Sequence, residues 1–259
     1  MKGVSEVLTT VIMIAIVLTV GLTIAYFAIT TISGAISMAS YELSVSAYTT
    51  LISNYDLIVN GGTYMVDFPE RDIGLGYNLT GKRFKVVMYN GTHYITLIND
   101  TTIYELFVKG PSTVGNRESL LYGTGGLIVE SPTYLPILVE HYIPGIGQYI
   151  IFNTTRISVF TASYMSGTSN ITIIYILYSD LLPTVYGGAT TKRLMLALTS
   201  MKLNETEPME IDALTTVTIN ATLYDSNGNK LQTESRTIIV KNTTLKIYCR
   251  TLNVSAVIS

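Results

Sequence analysis

Few residues in this chain have both the type and the spacing that chemistry requires. The two histidines, His93 and His141, each sit at the edge of a strand-like pattern. Neither has a second donor at metal-ligand spacing, so both read as surface or hairpin polar residues. Asp67, Glu70 and Asp72 gather three carboxylates, which is calcium chemistry in principle. They lack the ligand order of an EF-hand, and a solvated loop is the plainer reading. Gly74-Leu-Gly76 and Gly123-Thr-Gly-Gly look like phosphate loops, but neither opens a helix, whose N-terminus gives such loops their affinity for anions. The single Cys249 excludes an internal disulfide, and its setting, Lys246-Ile-Tyr-Cys-Arg-Thr, reads as a strand holding a structural thiol. No Ser-His-Asp set or working carboxylate pair can be placed. The expectation is therefore a protein that is not an enzyme and needs no cofactor or metal.

A second kind of chemistry is more abundant. Nine Asn-x-Ser/Thr sequons occur, at Asn78, Asn90, Asn99, Asn153, Asn170, Asn204, Asn220, Asn242 and Asn253. Each is a candidate N-glycosylation site, and their confinement to the region after residue 77 agrees with an exported domain. A chain rich in Asn, Ser and Thr also makes some by chance. Asn220 lies within a strand pattern, where a glycan is least expected.

The element that would position an exported domain is at the other end of the chain. After Glu6 no charged residue appears until Glu42, and the uncharged stretch Val7 to Tyr41 has 35 residues. Val7 to Ile32 is almost wholly apolar, and about 20 such residues suffice to cross the hydrocarbon core. In lipid the backbone must satisfy itself, so the segment must be helical there, with Thr hydroxyls bonding back to the preceding turn. The run is too long for the apolar region of a secretory signal peptide. Gly34 weakens the helix, but no proline occurs before Pro69, so an amphipathic continuation to about Thr50 is expected. The resulting rod of roughly 65–70 Å exceeds what an anchor needs. Gly21 and Ala25 have the small-x-x-x-small spacing that lets helices approach closely, a pattern also common in helices that pack against nothing but lipid. Glu6 gains from the macrodipole of a helix that Ser5 can cap. It reads either as a wet interfacial carboxylate or as the partner of a free α-amino group created by cleavage nearby.

Lys2-Gly3, followed by Val4-Ser5-Glu6-Val7 and the long apolar helix, resembles the class III signal peptide of archaeal type IV pilin-like proteins, the superfamily of pilins and archaellins. The resemblance covers some 40 to 50 residues. It implies a leader of residues 1–3, cut by a membrane-embedded prepilin peptidase after Gly3, so that the mature chain starts at Val4. It also implies subunits drawn from the membrane by a pilus assembly machinery, with their helices packed in a filament core. Glu6 would be third in the mature chain, whereas many members carry their acidic residue fifth, where Leu8 stands. The opening Val4-Ser-Glu-Val-Leu-Thr-Thr differs from that usual in archaellins, which favours an adhesive pilus over a swimming filament. The expected function is thus a structural subunit of an extracellular, glycosylated filament for surface attachment. Its class rival is a membrane-anchored cell-surface protein whose β-domain binds an S-layer or archaellum component.

Composition bounds the rest. Charged residues make up only 13% of 259, and the net charge of −2 gives no basic footprint for nucleic acid. Tyr is abundant at 19 and Trp absent. From Asp56 the pattern changes to short alternating or apolar runs bounded by Gly, Asn, Asp and Pro. Strands are expected at 84–89, 94–98, 103–108, 127–129, 149–152, 157–161, 171–178, 194–199, 217–224, 231–240 and 245–251. Asn90-Gly91 and Asn227-Gly228 predict tight type I′ hairpins. The expected fold class is α+β: a hydrophobic helix over residues 4–55, then an all-β, broadly Ig-like sandwich over 56–259 that folds on its own. Tyr186-Gly-Gly-Ala is a candidate division between two halves, and the apolar end, Val254 to Ile258, is expected to be docked.

Overall fold

The computed structural model describes residues 2–69, 73–110, 118–144, 146–185 and 192–259, and side chains within these except those of 2–7 and 185. The candidate division at Tyr186 and two of the three loop carboxylates, Glu70 and Asp72, lie outside the described residues.

Helix α1 runs without a break over Lys2–Ser53, 52 residues, or about 78 Å. Asn54 interrupts it, its side-chain amide donating back to the Thr50 carbonyl at 2.8 Å. A short second helix, α2, follows over Tyr55–Val59. Asn60 and Gly61 stop it: Asn60 Nδ2 donates to Asp56 O, and Gly61 takes a φ of 94°, the left-handed position that ends helices.

Fourteen strands follow among the described residues. They are β1 (Thr63–Phe68), β2 (Gly74–Tyr89), β3 (Tyr94–Lys109), β4 (Ser119–Tyr122), β5 (Ile128–Val129), β6 (Ile137–Ile143) and β7 (Gly147–Asn153) in the first half. Then come β8 (Ile157–Ser166), β9 (Ser169–Val185), β10 (Lys192–Glu205), β11 (Met209–Ile211), β12 (Thr215–Tyr224), β13 (Lys230–Val240) and β14 (Thr243–Ile258). They form two seven-stranded sheets. Sheet A has the order β1-β10-β14-β9-β8-β5, with β11 also on β14; sheet B has the order β13-β12-β2-β3-β7-β6-β4. The fold is α+β, one long apolar helix and a β-rich domain of two curled sheets. Most pairs are antiparallel, but β14 lies parallel to β9. The chain's last apolar residues are docked in this pair: Val254, Ala256 and Ile258 are all buried.

Two cores are built by strands long enough to serve both. In the distal core Phe84, Val86 and Met88 of β2 and Ile219 of β12 face Ile174 and Ile176 of β9 and Ile247 of β14. The helix-proximal core holds Leu252, Val254 and Ala256 of the same β14, Leu177 and Leu181 of the same β9, and the end of α1. In β14 the buried side chains are odd-numbered up to Cys249 and even-numbered from Leu252 on, so one strand buries opposite faces in its two halves. The strands flanking residue 186, β9 and β10, both pair with β14 in sheet A. The two cores are therefore shared by continuous strands.

Both Asn-Gly pairs lie in hairpins, but in longer loops than a type I′ turn. Tyr89 pairs with Tyr94, leaving residues 90–93 as the loop, and only Gly91 has positive φ. Asn90 Oδ1 accepts the N–H groups of Thr92 and His93 instead. In the second loop Asp225 Oδ1 accepts from the N–H groups of Asn227 and Asn229. Side-chain acceptors next to the turn supply a competing local hydrogen-bond scheme, which the dipeptide alone does not reveal.

Candidate assembly helix

α1 has two unlike parts. From Leu8 to Ile36 large apolar side chains are exposed on every face: Leu8 is 60% exposed, Leu22 70% and Ile29 67%. The spacing shows no polar side to turn toward water, since the residues are apolar all round. Three threonines on this part satisfy their hydroxyls within the helix. The hydroxyls of Thr19, Thr23 and Thr30 donate to the carbonyls of Ala15, Thr19 and Tyr26 at 2.8–3.0 Å. This helix is long and apolar enough to cross a membrane. Gly21 and Ala25 lie in its exposed middle, and a Cβ on Gly21 would meet nothing. Within one chain, the small-residue face therefore packs against none of the described elements. Lys2, Gly3 and Val4 are in the first helical turn, and the Glu6 side chain is outside the described ones.

From Ser37 onward one stripe of the same helix is buried in the β-domain. Ser37, Ser40, Tyr41, Ser44, Tyr48, Leu51, Ile52, and Tyr55 and Ile58 of α2 repeat at three- and four-residue steps. Tyr41, Tyr48 and Tyr55 are seven apart and wholly buried. The stripe wedges between the sheets. Tyr41 Oη donates to Glu140 of β6 at 2.6 Å, and its ring lies so close to Gly110 that a Cβ there would sit 2.6 Å from it. Tyr48 meets Phe68 of β1 edge-on and stacks on Phe152 of β7. Tyr55 hydrogen-bonds Ser179 of β9. Each buried side chain of this size contributes about 1.5–3 kcal/mol by area. The rod is thereby fixed rigidly to both sheets, with no linker between them. The boundary expected at Asp56 runs through this shared core; on packing, the domain begins near Ser37.

The other sequence candidates are placed as follows. His93 lies in the β2–β3 loop with Thr92 Oγ1 on its Nδ1 at 2.9 Å. His141 on β6 has Glu118 3.4 Å from its Nδ1, both exposed. Asp67 is held by Arg193 at 2.6 Å. No group of three His, Cys, Asp or Glu suited to a metal occurs among the described residues. Gly76 is inside β2, under the Phe107 ring, and Gly126 abuts the Glu234 carboxylate. Cys249 is buried in the distal core, and burial pushes its thiol up to about 11, far from the reactive range.

The sequons divide by surroundings. Asn78, Asn99, Asn204 and Asn242 are exposed, and Asn170 is half-buried. The amide nitrogens of Asn90, Asn153 and Asn253, the atoms a glycan would take, donate to Met209 Sδ, Glu105 Oε1 and Ser200 Oγ. Asn220 accepts from Ser235 Oγ across the β12–β13 ladder.

No family model matches this chain, and neither a curated protein nor a solved structure resembles it significantly.

Proposed function

We propose that this protein is the structural subunit, a pilin, of an archaeal type IV pilus-like filament on the cell surface, with an adhesive or attachment role. The observation that carries the reading is the union of the two halves of α1. A helix apolar on all faces from Leu8 to Ile36 is fused without a hinge to a rigid β-domain. In water each large exposed side chain forgoes about 1.5–3 kcal/mol, so this surface belongs in lipid before assembly and among copies of itself afterwards. A membrane anchor needs neither the extra length nor the rigid joint, because lipid fixes no orientation for the domain. A helical polymer needs both, since the register of the core helices must set the spacing of the outer domains. The Lys2-Gly3 site before the helix supports processing by a prepilin peptidase to a mature start at Val4. The exposed sequons support an extracellular, glycosylated sheath.

The same exposed helix also suits the alternative, a bitopic surface protein whose β-domain binds an S-layer or archaellum component. The deciding experiment is electron microscopy of filaments sheared from cells, with mass spectrometry of their subunit. Filaments containing this chain with Val4 as first residue support the proposal. Recovery of the chain only in the membrane fraction, or with Met1 intact in assembled material, overturns it.

A further inference from the structure

Sheet edges are where an unpaired backbone invites another chain, and proteins normally blunt them with charge, proline, bulges or brevity. Among the described residues the two sheets have four edges, and three of them are blunted. β13 carries Lys230, Glu234 and Arg236; β4 spans only Ser119–Tyr122; β1 has six residues, with Asp67 tied to Arg193. The β8 edge is different. β8 pairs with β9 along its whole length in one unbroken register, from Ile157↔Tyr178 to Ser166↔Ser169. On its other side β5 covers only Ile157 and Ser158. From Val159 to Ser166 this side has no strand partner among the described residues. The strand holds no charge and no proline, and the charge-free stretch extends from Ile157 to Ser179.

The phase of the free edge can be read from its ends. Ile157 N–H donates to Leu127 O at 3.0 Å, away from β9. Val159 O accepts from Arg236 Nη1 at 2.9 Å, also away from β9. By strand alternation Thr161 and Ser163 present their N–H and C=O groups outward, while Phe160, Ala162 and Tyr164 bond to β9. Phe160, 39% exposed, already continues a row of stacked rings across sheet A: Tyr175 at 4.9 Å, then Tyr248 at 5.6 Å from Tyr175. Tyr164 is 47% exposed on the same strand face.

We propose that the free edge of β8 is a strand-addition site for a second copy of this chain, the two β8 strands pairing antiparallel about Ala162. The strand is its own complement in that register. Thr161 and Ser163 exchange backbone hydrogen bonds with Ser163 and Thr161 of the second copy. Ala162 meets its own counterpart at the two-fold axis, where the smallest side chain of the strand leaves room. Phe160 and Tyr164 then face Tyr164 and Phe160 of the second copy at non-hydrogen-bonded positions, where side chains approach most closely. The absence of charge removes the like-charge repulsion that a self-pair would otherwise suffer. Such a contact is isologous and closes on itself. It does not depend on the helix, and so stands or falls apart from the filament reading.

The test uses the full chain in detergent micelles. Ala162→Cys places two thiols at a non-hydrogen-bonded antiparallel position, within reach of a disulfide. On mild oxidation it should give a covalent dimer on non-reducing denaturing gels, while wild type, whose only thiol is buried, runs there as a single chain. Thr161→Pro removes an outward N–H that β9 does not use, so added to Ala162→Cys it should abolish the dimer with circular dichroism unchanged. If that proline unfolds the hairpin, Ser163→Lys in the same background should abolish the dimer by repulsion alone. The proposal is overturned if Ala162→Cys gives no more dimer than Ser226→Cys on the exposed β12–β13 loop. It is equally overturned if the dimer survives the edge substitutions in folded protein.

Discussion

Tyr48 of the helix lies flat on Phe152 of β7, with ring centroids 5.7 Å apart and planes 11° from parallel. The pair locks the exposed apolar rod onto the interior of the β-domain. The Tyr48 hydroxyl meanwhile is buried with no hydrogen-bond partner among the described residues. Ring and hydroxyl therefore pull in opposite directions. Tyr48→Ala should destabilise the domain by about 3–5 kcal/mol, the usual cost of deleting a buried ring. Tyr48→Phe keeps the ring and removes the unsatisfied group, so it should be neutral or stabilise by about 1 kcal/mol. Denaturant unfolding of both variants, followed by tyrosine fluorescence, checks the ordering. A Phe variant as damaged as the Ala variant would show that the hydroxyl has a partner in solution.

The shared core also predicts where the domain can be cut. A chain beginning at Ser33 keeps the whole buried stripe and loses most of the exposed apolar surface, so it should be soluble and folded. A chain beginning at Asp56 lacks Tyr41, Tyr48, Leu51, Ile52 and Tyr55. At about 1.5–3 kcal/mol each, that loss rivals the entire stability of an ordinary domain. It should aggregate or unfold. Circular dichroism and size-exclusion chromatography of the two chains decide it, and a well-folded Asp56 chain would refute the shared core.

Why the sequence shows the helix but not its anchor follows from what each part needs. The Val7 to Ile32 run is visible because one property, apolarity, holds at almost every position over more than the length a membrane-crossing helix needs. The strands at 84–89, 171–178 and 217–224 are visible because apolar and β-branched residues gather in short runs bounded by Gly, Asn and Asp. Tyr41, Tyr48 and Tyr55 are not, because a tyrosine every seventh residue among serines and threonines also describes a wet amphipathic face. Strand β1, and β6 with its buried Glu140, escape for a related reason. Their packing partners come from the helix, about 20 to 100 residues away, so local alternation carries little of their signal. The β8 edge is legible only once pairing order is known, since an uncharged run reads equally well as a central strand.

Asp180 on β9 gives a pH dependence. Burial pushes its carboxyl up from 3.8 to about 6. Below the ordinary value the group is protonated in folded and unfolded chains alike, and no penalty arises. Between the two values the unfolded chain binds fewer protons than the folded one, so stability falls as pH rises through that window. Allowing for its partial exposure, the penalty at neutral pH is about 2 kcal/mol. Asp180→Asn should raise the melting temperature at pH 7 but not at pH 4. An equal effect at both values would mean the carboxylate is ionised freely in the fold.

Glycan occupancy should follow exposure. Asn78, Asn99, Asn204 and Asn242 project from the surface, whereas Asn90, Asn153 and Asn253 already use their amide nitrogens within the fold. Mass spectrometry of the protein from its native cells should find sugar on members of the first group. Full occupancy of Asn153, whose amide donates to a buried glutamate, would require that the sugar be attached before folding and β7 rearranged around it.

The last prediction separates a filament core from an anchor. Lipid is indifferent to the shape of an apolar side chain, so an anchor tolerates Gly21→Leu and Ala25→Leu. Helices packed against one another are not, because close approach depends on small residues at the contact. In the isolated chain a side chain at Gly21 meets nothing, so the substitution leaves folding and membrane insertion untouched. Any loss of assembly then reports contact between subunits. Gly21→Leu should leave the protein in the membrane fraction at wild-type levels while abolishing or strongly reducing filaments seen by electron microscopy. Ala28→Asp, by contrast, should harm insertion and assembly together. Normal filaments from cells carrying both leucine substitutions would refute close packing at this face and move the assembly contact to another side of the helix.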